Sequence, residues 1–402
     1  MGQKGLSGKM NMQEEIRTAL HQRAEQVTAA LVRLESDSMQ GHEGAVADWI
    51  LQFFETAGIQ AEKQECAPGR YNVIAELPGR RSDRTILFSG HIDTVPLGDE
   101  SLWHFPPLSA QKADGKLYGR GTCDMKGGIA CSMCAAEYLA ANQIVPSANF
   151  RLVYDVDEEN TNLGLRTYLK TAAPADFILV GEPTNLRLAV GHRGVMAFTA
   201  EFFGKSAHVG QAALGVNAID GALCAAEKIR RLEQALSQRT QEYLGSPSIF
   251  TTQISGGKKV NVIPDYAQIR VDRRLIAGET PESCTAQMQK ILDETARETG
   301  CRTKLTVTTS CPPGLSRPEL PELTAAAALL REQKLNDTPE AFGASCEMGM
   351  LQAALGAPAV ILGPGSIEQA HQIDEFVTCS QLHEAAELYI RIFTELFDEG
   401  GV

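Results

Sequence analysis

Apolar residues recur at helical spacing near the start of the chain. Ile16, Leu20, Val27, Leu31 and Leu34 fall on one side of a helix predicted over Gln13 to Leu34, and a second amphipathic segment covers Glu43 to Thr56. Four short apolar runs follow: Thr85 to Phe88, Phe150 to Tyr154, Phe177 to Val180 and Ala359 to Leu362. Uninterrupted runs of this length read as strands buried on both faces, and helical segments separate them. The alternation predicts an α/β fold, a mostly parallel sheet with helices on both faces.

Between residues 189 and 308 the pattern changes. A strand-like run Met196 to Phe203 is followed by a helix Val216 to Leu236, strands near Ser248 to Ile254 and Gln268 to Arg273, a helix Pro281 to Glu298, and a strand Thr303 to Val307. This order is that of a self-contained α+β unit, βαββαβ. The sheet pattern resumes afterwards, so the expectation is one domain from residues 1–188 and 309–402 with a second, 189–308, inserted into it. No internal repeat or low-complexity segment interrupts this reading.

A chain of 402 residues accommodates two domains at roughly 100 to 200 residues each. With 43% hydrophobic and 22% charged residues it can bury a substantial core, which excludes a disordered chain. The net charge of −13 disfavours nucleic acid and anionic membrane as partners. No apolar run approaches the 18 or so residues of a membrane span, and Leu6 stands where a myristoylation signal needs Ser or Thr. The ten cysteines are scattered, without a signal peptide, so free thiols and a cytoplasmic setting are expected. Cys131 and Cys134 lie in an Ala-rich helical stretch with no partner pair at zinc-ribbon spacing, and read as core.

The chemistry concentrates where the four apolar runs end. They exit into Ser89-Gly90-His91-Ile92-Asp93, into Asp155-Val156-Asp157-Glu158-Glu159, into Gly181-Glu182-Pro183, and into Gly363-Pro364-Gly365-Ser366 with His371 shortly after. In open α/β sheets the carboxyl ends of the strands border the ligand crevice, so these side chains are expected to converge. Asp124 adds a fifth candidate, in the glycine-rich segment Gly119 to Gly128 that leads into a helix. Two histidines and three carboxylates suit Zn²⁺, or Mn²⁺ and Co²⁺, better than Ca²⁺ or Mg²⁺. Five ligands exceed one tetrahedral zinc but fit two metal ions sharing a bridging carboxylate.

The segments SGHIDTVP, YGRGTCDMKGG, DVDEEN, VGEPTN, GKSAHVG and LGPGSIEQAHQIDEF together resemble the two-metal deacylases and exopeptidases that include acetylornithine deacetylase, succinyl-diaminopimelate desuccinylase, aminoacylase and glutamate carboxypeptidase. The resemblance runs in the same order from Ser89 to Phe376. It implies that Asp124 bridges two divalent metals, with His91 and Glu182 completing one site and Glu159 and His371 the other. It further implies that Asp93 accepts a hydrogen bond from His91, that Glu158 is the general base, and that the Asp124–Met125 peptide is cis. The inserted domain would be a lid through which two copies form a homodimer. His208, Asn261 and Arg274 match substrate-site motifs there, with Arg273 as the alternative register to Arg274. His208 would reach across into the partner's site.

The stretch from Cys346-Glu347 to Phe376 is most similar to the acetylornithine deacetylase branch, and a Thr-Ser-Asp usual in desuccinylases is missing near Cys346. The implied substrate is therefore an N-acyl amino acid, its α-carboxylate held by Arg274 in a bidentate fork. A desuccinylase, a metallo-carboxypeptidase or a dipeptidase remains open, because a methylene or two is worth only about 1 to 3 kcal/mol of discrimination. A non-catalytic amino-acid-binding relative is the reading from another class; the presence of both Asp93 and Glu158 argues against it.

Overall fold

A computed structural model of the chain describes residues 14–398. The predicted helix start at Gln13 and the Met1 to Ser7 segment weighed for a lipid anchor lie outside the described residues. The elements run α1 (Glu14–Val32), α2 (Gly44–Thr56), β1 (Gln60–Ala67), β2 (Arg70–Leu77), β3 (Arg81–His91), β4 (Gln111–Ala113), β5 (Lys116–Tyr118), α3 (Lys126–Ala141), β6 (Ala148–Asp155), α4 (Leu163–Tyr168) and β7 (Phe177–Pro183). Next come β8 (Ala189–His192), β9 (Gly194–Phe203), β10 (Ala207–His208), α5 (Ala218–Leu236), β11 (Ser248–Gly256), β12 (Val262–Ile263), β13 (Tyr266–Leu275), α6 (Pro281–Thr299), β14 (Arg302–Cys311) and β15 (Gly314–Leu315). The chain closes with α7 (Pro321–Glu332), β16 (Glu340–Phe342), α8 (Met348–Leu355), β17 (Ala359–Gly363), β18 (Phe376–Thr378) and α9 (Cys379–Glu395).

These elements form two compact units. Among the described residues, the first comprises 14–188, 321–338 and 362–398, and the second 189–320 and 339–361. The second unit thus takes in more than the expected 189–308. The physical reason is β8, which pairs with β15 antiparallel and with β16 in parallel, drawing both segments to its side.

In the first unit β3 lies between β6 and β7 and is parallel to both. The hairpin β1–β2 extends this sheet through an antiparallel pairing of β2 with β6. Every residue of β7, and Ile86 to His91 of β3, is buried, as strands covered on both faces must be. Helix α3 is buried from Lys126 to Ala136, which is why its composition is apolar all round. Cys131 and Cys134 belong to that core as free thiols. Lys126 is the exception in charge. Its Nζ donates to the Leu31 and Leu34 carbonyls at 3.1 and 2.8 Å, satisfying acceptors at the end of α1, and burial lowers its pKa to about 7.

Gly128 lets α3 sit directly on the end of β7. A Cβ there would stand 2.2 Å from the Gly181 carbonyl oxygen, so any side chain would push the start of α3 away from the strand that carries Glu182.

In the second unit β11, β13, β9 and β14 make a four-stranded antiparallel sheet in that order. Met196, Phe198, Ala200 and Phe202 of β9 and Ile269 and Val271 of β13 pack in one core with residues of α5 and α6. Helix α6 opens on a capping box, the Thr280 hydroxyl accepting from Ser283 N and the Ser283 hydroxyl from Thr280 N, with Pro281 in the first turn. The edge strand β11 leaves Phe250 and Ile254 each 53% exposed.

Candidate metal centre

Each of the five predicted ligands sits where a regular element ends or in a loop tied to one. His91 is the last residue of β3, and Glu182 the penultimate residue of β7. Glu159 follows β6, Asp124 precedes α3, and His371 lies between β17 and β18 with φ +63°. All five belong to the first unit.

They converge. His91 Nε2 lies 3.2 Å from Asp124 Oδ1 and 3.8 Å from Glu182 Oε1. His371 Nε2 lies 3.2 Å from Asp124 Oδ2 and 2.9 Å from Glu159 Oε1. One oxygen of Asp124 therefore faces each histidine. Ligand atoms of His91, Asp124 and Glu159 lie within 4.8 Å of one another. The Asp124–Met125 peptide is cis.

The electrostatics of this cluster favour a cation. Burial alone disfavours charge on His91, yet the carboxylates of Asp124, Asp93 and Glu182 hold its imidazole well above the ordinary value. Hydrogen bonds to Asp124 and Glu159 raise His371 to about 10. Burial pushes Asp124 upward, but the two imidazoles outweigh it and hold the carboxyl well below the usual range. Carboxylates grouped around two imidazoles make this a place that favours positive charge. Imidazole and carboxylate donors in this number fit two divalent ions of the zinc, cobalt or manganese type.

Asp93 differs from expectation. His91 Nδ1 donates to the Asp93 backbone carbonyl at 3.0 Å, while the nearer carboxylate oxygen is 3.6 Å away. The Asp93 carboxylate instead accepts from two successive amides, Glu158 N on Oδ1 and Glu159 N on Oδ2, both at 3.1 Å. The reason is local geometry: with the carbonyl already at the ring nitrogen, the side chain turns to the amides of the turn after β6. Burial pushes its carboxyl up to about 7 against the pull of His91. Asp93 thus ties the His91 segment to the segment carrying Glu158 and Glu159.

That turn has a second anchor which sequence reasoning missed. Asp157, at φ +67°, accepts from Thr161 N at 3.1 Å and from Arg70 Nη2 at 2.8 Å, and Arg70 also pairs with the buried Glu43. The only sequence signal was an acid in the run Asp155 to Glu159. Glu158 itself is half-buried in this turn.

The three expected substrate residues lie in the second unit. β10 and β12 form a two-stranded ribbon in which His208 faces Val262, and Val209 N donates to Asn261 O at 3.2 Å. His208 and Asn261 are therefore neighbours on one exposed ribbon. His208 Nδ1 accepts from Gly210 N at 3.1 Å, which leaves the ring proton on Nε2. Strand alternation separates the two arginines. Arg273 points into the core, 1% exposed, with Nη2 at 2.7 Å from Glu279. Arg274 points the other way, its guanidinium in a two-point contact with Asp272 at 2.9 and 3.1 Å.

The family model for peptidase family M20/M25/M40 matches residues 87–395. The chain belongs to that family. Among M20 relatives, the acetylornithine deacetylase of Vibrio atlanticus (strain LGP32) is 30% identical over 344 residues, covering 83% of this chain and 86% of that protein. The acetylornithine deacetylase of Photorhabdus laumondii is 31% identical over 342 residues, with 83% and 85% covered. The M20 chain also shares its fold with a tripeptidase from Staphylococcus aureus, at TM-score 0.77 and 23% identity over 94% of this chain and 99% of that one. A dinuclear metal binding peptidase of the M20 family from Bacillus subtilis superposes at TM-score 0.69 and 18% identity over 94% and 99%. The M20 chain is a metal-dependent amide hydrolase, of the peptidase and deacylase kind. Among the described residues no helix is long and apolar enough to cross a membrane.

Proposed function

We propose that this chain removes the acyl group from an N-acyl amino acid, as acetylornithine deacetylase does, using two divalent ions held by His91, Asp124, Glu159, Glu182 and His371. The observation that carries the reading is Asp124, which turns one carboxylate oxygen to His91 and the other to His371, as a bridging ligand must. Zn²⁺ is the first choice for both positions, with Co²⁺ or Mn²⁺ next. Bound there, the ions would supply Lewis acidity for activating a water and polarising the amide carbonyl. Glu158 takes the proton of the attacking water and returns it to the departing amine. Asp93 and Asp157 hold the turn that aims Glu158.

Arg274 receives the substrate α-carboxylate. Its fork already engages one carboxylate, that of Asp272, so binding exchanges one acidic partner for another. Asn261 and His208 complete the substrate contacts. His208 offers its Nε2–H to the carbonyl oxygen as charge develops there.

A second copy of the chain covers the inserted unit. Its exposed apolar side chains include Phe250 and Ile254 on the edge strand β11 and Val209, Val260 and Val262 beside His208. An apolar edge with unpaired backbone groups is a template for a partner strand. The ten free cysteines, eight of them buried, suit a reducing compartment, so a cytoplasmic enzyme is proposed.

The test is release of free amine from a panel of N-acetyl amino acids including N-acetylornithine, N-succinyl-diaminopimelate and dipeptides, with Zn²⁺ or Co²⁺ supplied. The expected result is a preference for N-acetyl amino acids of roughly tenfold or more in kcat/KM, the scale that a few pocket contacts set. Faster cleavage of dipeptides would make the chain a peptidase. Metal binding without turnover of any member would favour the binding-protein reading.

A further inference from the structure

Three of the five ligands have evident support. His91 and Glu182 lie in the ladder of the sheet, and Glu159 is held through its amide by Asp93. Asp124 and His371 lie in loops, far apart in sequence, and yet must be set against each other.

A buried ion pair joins those two loops. Glu375, 0% exposed, accepts from Cys123 N at 2.9 Å and from Asp124 N at 3.1 Å on the same oxygen, Oε1. Its other oxygen accepts from Arg120 Nη1 at 2.7 Å, and Arg120 is 4% exposed. The same Nη1 donates to the Gln372 carbonyl at 3.2 Å, one residue after His371. Gly119 N donates to the Glu375 carbonyl at 2.8 Å, and Cys123 Sγ to the Ser366 carbonyl at 3.0 Å. The Trp103 ring covers the Arg120 guanidinium, 5.1 Å from its centroid.

An ion pair this deeply buried is a poor choice for stability alone, because desolvation cancels much of the Coulombic gain and an apolar pair would pack as well. What it supplies is direction. A carboxylate oxygen that accepts two successive amides fixes the orientation of the Cys123–Asp124 peptide, and so the line along which the Asp124 side chain leaves the backbone. Arg120, fastened to both Glu375 and Gln372 O, fixes the His371 loop in the same frame.

We infer that Arg120 and Glu375 are positioning residues for the metal centre, setting Asp124 and His371 for the ion that these two share with Glu159. The inference rests on the two-metal reading above and adds to it which residues govern the affinity of one ion relative to the other. The ion served by His91 and Glu182 depends less on this pair, since both of its private ligands are held by the sheet.

The test is Co²⁺ titration of the chelator-treated full chain, read by calorimetry and by the visible spectrum, on wild type, Glu375→Ala, Glu375→Gln and Arg120→Met. Thermal midpoints of the metal-free proteins are taken in parallel. Wild type binds two ions. Glu375→Ala is expected to lose roughly 10- to 100-fold in affinity for one ion, the usual cost of removing a partner behind a metal ligand, with the other ion changed far less. Glu375→Gln keeps an acceptor for both amides and is expected to recover most of that loss; Arg120→Met shows the same selective weakening and serves if Glu375→Ala does not fold. Two ions bound as in wild type by Glu375→Ala overturn the inference. So does equal weakening of both ions in every variant together with a matching fall in the metal-free midpoint, which would mark a merely structural pair. A wild type that binds fewer than two ions overturns the two-metal reading and the inference with it.

Discussion

Glu158→Ala is expected to retain both metal ions per chain while turnover falls by roughly 10² to 10⁴, the range typical of losing a general acid-base group. The expectation rests on neighbours that do different work. Glu159 is the residue whose carboxylate meets His371, at 2.9 Å, and the Asp93 carboxylate holds both amides of the pair. Truncating Glu158 removes a carboxyl group without touching those backbone contacts, so the turn and its ligand remain. Metal content of the purified variant, measured beside kcat, separates the outcomes. Loss of metal in proportion to activity would move Glu158 into the ligand set and leave the proton without a carrier.

His208→Ala is expected to lower kcat by roughly 10² to 10³ with a much smaller change in substrate affinity, as removal of a donor to a developing oxyanion does. The local geometry at His208 is compatible with such a donor. Its Nδ1 is occupied by Gly210 N, so Nε2 carries the hydrogen, and the ribbon of β10 and β12 presents the side chain exposed beside Asn261. If His208 serves the site of a second copy, mixing Glu158→Ala chains with His208→Ala chains restores activity, because each mixed dimer contains one intact site. No recovery despite demonstrated subunit exchange, or full activity in a monomer, would confine His208 to its own chain, and an unchanged kcat in His208→Ala would remove it from the chemistry.

Four of the five candidate ligands were legible because they stand at or just after the point where an apolar run breaks into polar residues, and parallel strands deliver their carboxyl ends to one edge, whereas Asp124 was marked by its glycine-rich segment before α3. The hairpin β1–β2 was not. Gln60–Ala67 is an exposed or half-exposed edge strand of mostly polar residues, so neither periodicity nor composition marks it, although Pro68-Gly69, with Gly69 at φ +80°, signals the turn. The two arginines were more legible than the sequence reading allowed. Ile269, Val271 and Leu275 share a parity with position 273, which puts Arg273 on the core face and Arg274 opposite. What obscured this was the charge of Arg273, and its buried partner Glu279 lies beyond the end of the strand. Arg120 and Glu375 are near motif residues, but their pairing joins positions 255 apart and only the fold reveals it. The same holds for Asp93: its presence was expected, its choice of backbone amides over the His91 ring was not.

In the proposed centre one carboxylate, Asp124, stands between two metal ions. Anomalous diffraction from crystals of the Zn²⁺-loaded protein measures it directly. Two peaks are expected roughly 3.5 to 4 Å apart, the spacing of two-metal hydrolytic sites, with one beside His91 and Glu182, the other beside Glu159 and His371, and Asp124 touching both. A single peak at saturating zinc, or a second peak that Asp124 does not reach, would contradict it.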